Sequence, residues 1–258
     1  MPRFAANLST LFTELPFLAR FGAAAEAEFL GCEIQFPYAI AKAHIAEELQ
    51  AHALTLVLFN LPPGDWESGE RGIACHPDRV QEFRDGVGTA IDYAHATGCG
   101  MINCLTGIAP IGAGLYAAYE TLVENLRFAA EKLKEEEILL VAEPINTHDI
   151  PGYFLNSSAQ AIALFNDVGS GNLRLQYDIY HMQRMEGELA STIKRLLPRI
   201  GHIQLADSPG RHEPGTGEIN FPWLLRFIDR IGYSGWIGCE YHPARGTAAG
   251  LSWMEDID

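Results

Sequence analysis

The sequence predicts an α/β fold: one domain over residues 1–258, built as a (β/α)8 TIM barrel with an abbreviated C-terminal helix. Three observations carry that reading. Apolar strand-like runs alternate with amphipathic helical stretches eight times or nearly so, which implies a parallel sheet covered by helices. The 258 residues, 48% of them hydrophobic, suit a single closed barrel, since such barrels take about 250 residues. No linker or shift in composition divides the chain, and its first strand–helix junction lacks the GxGxxG turn of a dinucleotide-binding open sheet.

The elements follow in order. Arg3 to Asn7 reads as a strand, and Pro16 to Ala27 as a helix with Phe17, Leu18, Phe21 and Ala24 on one face. Gly31 to Gln35 is a second strand, stopped at Phe36-Pro37, and Ile40 to Ala51 is the next helix. Leu54 to Phe59 is a third strand, rich in Leu and Val. A long connection through Gly72 and Cys75 leads to a helix from about Pro77 to Thr97. Gly100 to Cys104 is the fourth strand. Leu115 to Lys134 is amphipathic, with Leu122, Leu126, Ala129 and Leu133 on one face. Strands at Ile138–Ala142, Leu173–Tyr177, Ile200–Ile203 and Gly235–Cys239 alternate with helices near Ser157–Val168, Leu189–Leu197 and Phe221–Ile231. The segment from Gly250 to Asp258 is too short for a full eighth helix, hence the abbreviated closure.

Composition narrows the partners. Eighteen basic against 33 acidic residues leave a formal charge of −15, which argues against nucleic acid and anionic membrane. A small anionic substrate remains compatible, because a few local cations suffice to hold one. The five cysteines, Cys32, Cys75, Cys99, Cys104 and Cys239, form no CxxC or zinc-ribbon spacing and imply a reducing, cytoplasmic setting without a disulfide framework. No signal-peptide pattern or bilayer-length apolar run is evident. A homo-oligomer is compatible with all of this.

The chemistry lies in how the last four strands end. Each apolar run closes on an oxygen-bearing side chain: Glu143, Asp178, Gln204 and Glu240. In a barrel these positions share the rim where strands give way to helices. An Asp closing one strand is more often a turn former or a helix N-cap; four such endings in succession read as a site. Three carboxylates and an amide oxygen make a hard cage suited to one divalent ion, Mg²⁺ or Mn²⁺ rather than Zn²⁺. His181, three residues after Asp178, either projects over that ion toward a substrate oxygen or packs beneath Tyr180; the first reading is preferred. His202 reads as a core histidine. The turn-rich loop from Asp207 to Ile219 is a natural lid or clamp, and its Arg211 is suited to a substrate carboxylate. Glu33, Asn60 and Asn103 end earlier strands, and Phe12 and Trp66 could wall off the mouth.

Several stretches resemble the hydroxypyruvate isomerase family of the xylose-isomerase-like barrels. They are Phe4-Ala5-Ala6-Asn7-Leu8-Ser9, Gly69-Glu70-Arg71-Gly72-Ile73-Ala74-Cys75, Val141-Ala142-Glu143-Pro144-Ile145-Asn146, Tyr177-Asp178-Ile179-Tyr180-His181, Glu213-Pro214-Gly215-Thr216-Gly217-Glu218 and Gly235-Trp236-Ile237-Gly238-Cys239-Glu240-Tyr241. The similarity runs nearly end to end. It implies that Glu143, Asp178, Gln204 and Glu240 hold the metal, that Glu143 and Glu240 are the acid/base pair, and that His181 and Arg211 contact substrate. Two departures stand out: Gln204, where the wider superfamily often has histidine, and His242, where lysine is expected.

The implied reaction moves a carbonyl between adjacent carbons of a small hydroxy-oxo acid, hydroxypyruvate giving tartronate semialdehyde through an enediolate. Isomerisation of a four-carbon 2-oxo acid, or epimerisation of a ketose, is the nearest alternative. Phosphodiester cleavage would call for more histidine ligands and a basic face. A non-catalytic sugar-acid binder is the remaining class.

Overall fold

The computed structural model describes residues 2–110, 112 and 114–257. Eight parallel strands close on one another in sequence order. They are β1 (Arg3–Asn7), β2 (Gly31–Ile34), β3 (Thr55–Asn60), β4 (Met101–Cys104), β5 (Leu139–Ala142), β6 (Leu173–Asp178), β7 (Ile200–Leu205) and β8 (Trp236–Cys239). Closure is a pairing of β1 with β8, in register from Arg3 with Trp236 to Ala6 with Cys239. The barrel expected from the alternation of elements is the barrel observed.

The helices outside it are α1 (Ala19–Glu26), α2 (Lys42–Ala51), α3 (Val80–Thr97), α4 (Leu115–Glu135), α5 (Ser158–Val168), α6 (Ile179–Met185), α7 (Leu189–Leu196) and α8 (Phe221–Arg230). Each turns an apolar face inward. In α4 that face is Ala118, Leu122, Leu126, Ala129 and Leu133, spaced three or four apart and fully buried, which is the stripe an amphipathic helix presents to a sheet. Helix α6 is the α-helix that the periodicity did not foretell among the described residues. Seven residues are too few for a helical stripe, and it exists because Asp178 caps it: one carboxylate oxygen accepts the amides of Tyr180 at 2.7 Å and His181 at 3.2 Å. The last segment is a 3-10 helix, Ala248–Ile257. It seats Trp253 edge-on to Phe4, ring centroids 5.2 Å apart, and so covers the β8–β1 seam in place of a full helix.

Inside the barrel the side chains change character along the axis. A small apolar cluster of Ala5, Val57, Leu58 and Val141, with Met101, Leu139 and Trp236 packed against it, forms the floor. Two residues further along, the strands turn Asn7, Glu33, Gln176, His202 and Gln204 inward, each no more than 1% exposed. Successive inward positions in a strand are two residues apart, so Ala5 lies beneath Asn7 in β1 and Val141 beneath Glu143 after β5, an apolar floor under the polar layer. Gly238 makes room for that layer: a Cβ there would run into the Glu33 carboxylate. Among the described residues no helix is long and apolar enough to cross a membrane.

Candidate active site

The polar layer is one connected belt. Gln176 Nε2 donates to Glu143 Oε2 at 2.9 Å and to Gln204 Oε1 at 2.6 Å. Gln204 Nε2 donates in turn to Glu33 Oε2 at 2.8 Å. Asn7 Nδ2 bridges Glu33 Oε2 and Glu240 Oε1, each at 3.2 Å, and Gln35 Nε2 reaches the same Glu240 oxygen at 2.8 Å. His202 Nε2 meets the other oxygen of Glu33. Glu143 and Glu240 are thus each held through one oxygen by amide donors; the other oxygen of Glu143 has no partner, and that of Glu240 meets Arg211. Above the belt opens a cavity of about 350 Å³, lined by Glu143, His181, Arg211 and Glu240 among others.

At the β5–β6 side Glu143, Asp178 and His181 bring ligand atoms within 4.8 Å of one another, all buried. Glu143 Oε1 and Asp178 Oδ2 have no hydrogen-bond partner there. Two orphaned carboxylate oxygens in a buried corner are costly unless a cation meets them. Burial, then the charges of Glu240 and Asp178, push the Glu143 carboxyl well above the usual carboxylate range. Burial raises Asp178 to about 7 against the opposing pull of Arg211. Burial likewise raises Glu240, opposed first by Arg211. The donor set fits a hard divalent cation.

His181 is held as a neutral ring. Burial, with Arg211 and Arg184 nearby, lowers its pKa well below the ordinary value. Asn146 sets its tautomer. The Asn146 side-chain oxygen accepts the amides of His148 at 3.1 Å and Asp149 at 2.9 Å, which turns its Nδ2 onto His181 Nδ1 at 2.7 Å. With a donor on Nδ1, the ring proton resides on Nε2. That Nε2–H lies 3.7 Å from Glu143 Oε1 and 3.8 Å from Asp178 Oδ2. In this tautomer His181 is a donor at the edge of the cation corner, suited to a substrate oxygen, and the ligand atoms are left to the carboxylates.

Arg211 comes from the loop after β7. Its Nη2 is 2.7 Å from Glu240 Oε2 and 3.9 Å from Asp178 Oδ2, and its guanidinium carbon lies 5.2 Å from the Tyr180 ring centroid. The loop is wound around the buried carboxylate of Asp207, which accepts the amides of Ser208 and Ile219 on one oxygen and of Gly215 and Gly217 on the other, at 2.9–3.1 Å. Such wiring holds the loop in place, where the composition alone suggested a lid or a clamp. His242 also lines the cavity, its backbone amide donating to the Arg211 carbonyl at 2.9 Å.

Residues 21–257 match the family model described as xylose isomerase-like TIM barrel. The chain belongs to that family. Hydroxypyruvate isomerase of Escherichia coli is 54% identical over 99% of this chain and 99% of its own length. The 2-oxo-tetronate isomerase of Cupriavidus necator is 47% identical, covering 99% of this chain and 98% of the relative. A crystal structure from Brucella melitensis, titled AP endonuclease, family 2, superposes with a TM-score of 0.96 at 47% identity, covering 99% of this chain and 98% of that one.

Within this xylose isomerase-like barrel, the residues singled out from strand endings separate into two groups. Glu143, Asp178 and His181 converge on one corner, while Glu240 stands against Arg211 across the cavity. The Gln204 oxygen faces the Gln176 amide. Asn60 and Trp66 line the cavity; Asn103 donates to Asn60 at 3.0 Å, and Phe12 is buried in the core. Gln176, Asn7, Asn146 and Asp207 escaped the sequence reading. Gln176 was findable, because it precedes Asp178 by two and therefore shares its inward face. Asn146 and Asp207 act through local backbone geometry that has no sequence period.

Proposed function

We propose that this chain is a metal-assisted isomerase of the aldose–ketose type that interconverts hydroxypyruvate and 2-hydroxy-3-oxopropanoate (tartronate semialdehyde). The observation that carries this reading is the pairing of Glu143 and Glu240 on one cavity, each tied to the belt by one oxygen. The identity of 54% with a hydroxypyruvate isomerase, end to end, supports the substrate class. Mg²⁺ or Mn²⁺ held by Glu143 and Asp178, with Glu240 and Gln204 as further ligands, would supply Lewis-acid polarisation of the substrate carbonyl.

The chain's own residues do the rest. One of the two glutamates takes the proton from C3 of hydroxypyruvate, giving an enediolate, and a proton returns at C2 while the hydroxyl proton passes from the C3 oxygen to the C2 oxygen. Both carboxylates stand at the cavity, where either can carry the proton between those steps. His181, through Nε2–H, and Arg211 hold the substrate oxygens. The five free, buried cysteines support a cytoplasmic setting.

An assay of hydroxypyruvate with added Mg²⁺ or Mn²⁺, run in D₂O, tests the proposal. Isomerisation with deuterium at C2 is the expected result, and no turnover with either metal would end it. The relative named 2-oxo-tetronate isomerase favours a second reading, a four-carbon 2-oxo acid on the same residues. Comparing kcat/KM for the three- and four-carbon acids decides between them. Phosphodiester cleavage is disfavoured by the charge of −15 and by a corner built of carboxylates with one tautomer-locked histidine.

A further inference from the structure

A small oxo acid needs a cation for its carboxylate, and the cavity offers two guanidinium groups, Arg71 and Arg211. They are not equivalent. Arg211 already faces Glu240 and Asp178, so its charge is balanced and it lies against one of the two candidate acid/base glutamates. Arg71 has no carboxylate within ion-pair distance among the described residues. Its sequence neighbour Glu70 pairs with Arg79.

The setting of Arg71 is also built. Its guanidinium carbon lies 4.0 Å from the centroid of the Trp66 ring, which itself packs on Phe36 at 4.9 Å. Its Nη1 donates to the carbonyls of Trp66 at 3.1 Å and Glu70 at 2.7 Å. One nitrogen and one face are therefore occupied, and Nε and Nη2 have no hydrogen-bond partner among the described residues. The backbone behind it is fixed: the Gly72 amide donates to Pro63 at 2.9 Å and the Cys75 amide to Thr106 at 3.0 Å. Gly72 has φ +104°, and a Cβ there would strike the Leu105 carbonyl beyond β4. A side chain at 72 would push the loop, and Arg71 with it, off the rim.

Resting on the isomerase reading above, we propose that Arg71 anchors the substrate carboxylate and makes this site select a 2-oxo acid over an uncharged ketose. Arg211 then serves the oxygens at the reacting end. The free edge of a guanidinium fixed by its other nitrogen and by an aromatic face matches a carboxylate in geometry and charge.

Steady-state kinetics and a binding measurement together test this. Arg71→Met should raise KM for hydroxypyruvate about 10- to 100-fold with kcat changed less than about 3-fold, the pattern of lost uniform binding. Arg71→Lys should fall between, because an ammonium cannot reproduce the fork, and it serves if the Met variant fails to fold. Calorimetric titration of the Mn²⁺-loaded protein with pyruvate should show the same loss without any turnover, whereas hydroxypyruvamide, which lacks the charge, should inhibit wild type and Arg71→Met equally. Unchanged KM and unchanged pyruvate binding, or pyruvate binding absent from wild type, would overturn the assignment. A wild type that binds pyruvate through Arg71 yet fails to turn over hydroxypyruvate would overturn the isomerase reading and leave the anchor standing.

Discussion

At the scale of single residues the site works by giving each carboxylate two different oxygens. Asp178 illustrates it: one oxygen caps α6 and the other is orphaned at the cation corner. The ordinary role of an Asp that ends a strand and the proposed role at the cation corner therefore fall to the same side chain. Sequence reasoning treated them as alternatives because it cannot see that a carboxylate divides its oxygens. Glu143→Gln and Glu240→Gln should keep the belt side of each residue while removing the proton carrier. Turnover should fall about 10²- to 10⁴-fold in each, and bound Mn²⁺, read by metal analysis, should fall more in Glu143→Gln, whose remaining oxygen stays on Gln176 and whose NH2 then faces the cation corner. One of the two variants should still exchange the C3 proton of hydroxypyruvate with D₂O. His181 offers an independent check. Its ¹⁵N chemical shifts should report an unprotonated Nδ1, and Asn146→Asp should reverse the polarity at Nδ1, stabilise the imidazolium and move the acid limb of the kcat profile to higher pH. An unmoved profile and a protonated Nδ1 in wild type would remove Asn146 from the role of tautomer setter.

Among the elements, the strands and the helices other than α6 were legible and loops were not. Apolar runs set between amphipathic helical stretches located all eight strands to within a residue or two, because barrel strands are covered on both faces. The loop after β7 read as a lid or a clamp by composition, being rich in Gly and Pro. Its rigidity comes from Asp207, a buried carboxylate that gathers four backbone amides, a pattern that residue type alone does not reveal. Asp207→Ala should release those amides and destabilise the protein by about 2–4 kcal/mol, read as a lowered midpoint in urea. Hydrogen exchange should accelerate at Gly215 and Gly217, and catalysis should suffer because Arg211 rides on the same loop. Unaltered exchange at those amides would show that the loop is held by something else.

For the whole molecule, the concentration of acid inside the barrel sets the pH behaviour. Glu143, Asp178 and Glu240 all carry raised pKa values in the metal-free fold, while the unfolded chain releases such protons near pH 4. Between those values the folded state binds more protons than the unfolded one, so stability is fully present below about pH 4 and is lost as pH climbs through the folded values, about 7 for Asp178. Metal-free protein should therefore have a Tm several degrees lower at pH 8 than at pH 5. Mn²⁺ should restore it at the higher pH, and Glu143→Gln should flatten the metal-free curve. A Tm that rises across this range without metal would contradict the raised carboxyls. The belt that steadies these acids has a further consequence, for the order in which the chain matures. Asn7 and Glu240 are 233 residues apart, and His202 and Glu33 are 169 apart, so the bond between β1 and β8 can exist only once the two ends of the chain are neighbours. Glu143 and Asp178 close adjoining strands, β5 and β6. During refolding, the corner suited to a cation needs only the middle of the chain, whereas the placement of Glu240 waits for the ring to shut. Capture of Mn²⁺ and recovery of turnover should then appear as two separate events in time, with the interval between them measuring closure of the barrel.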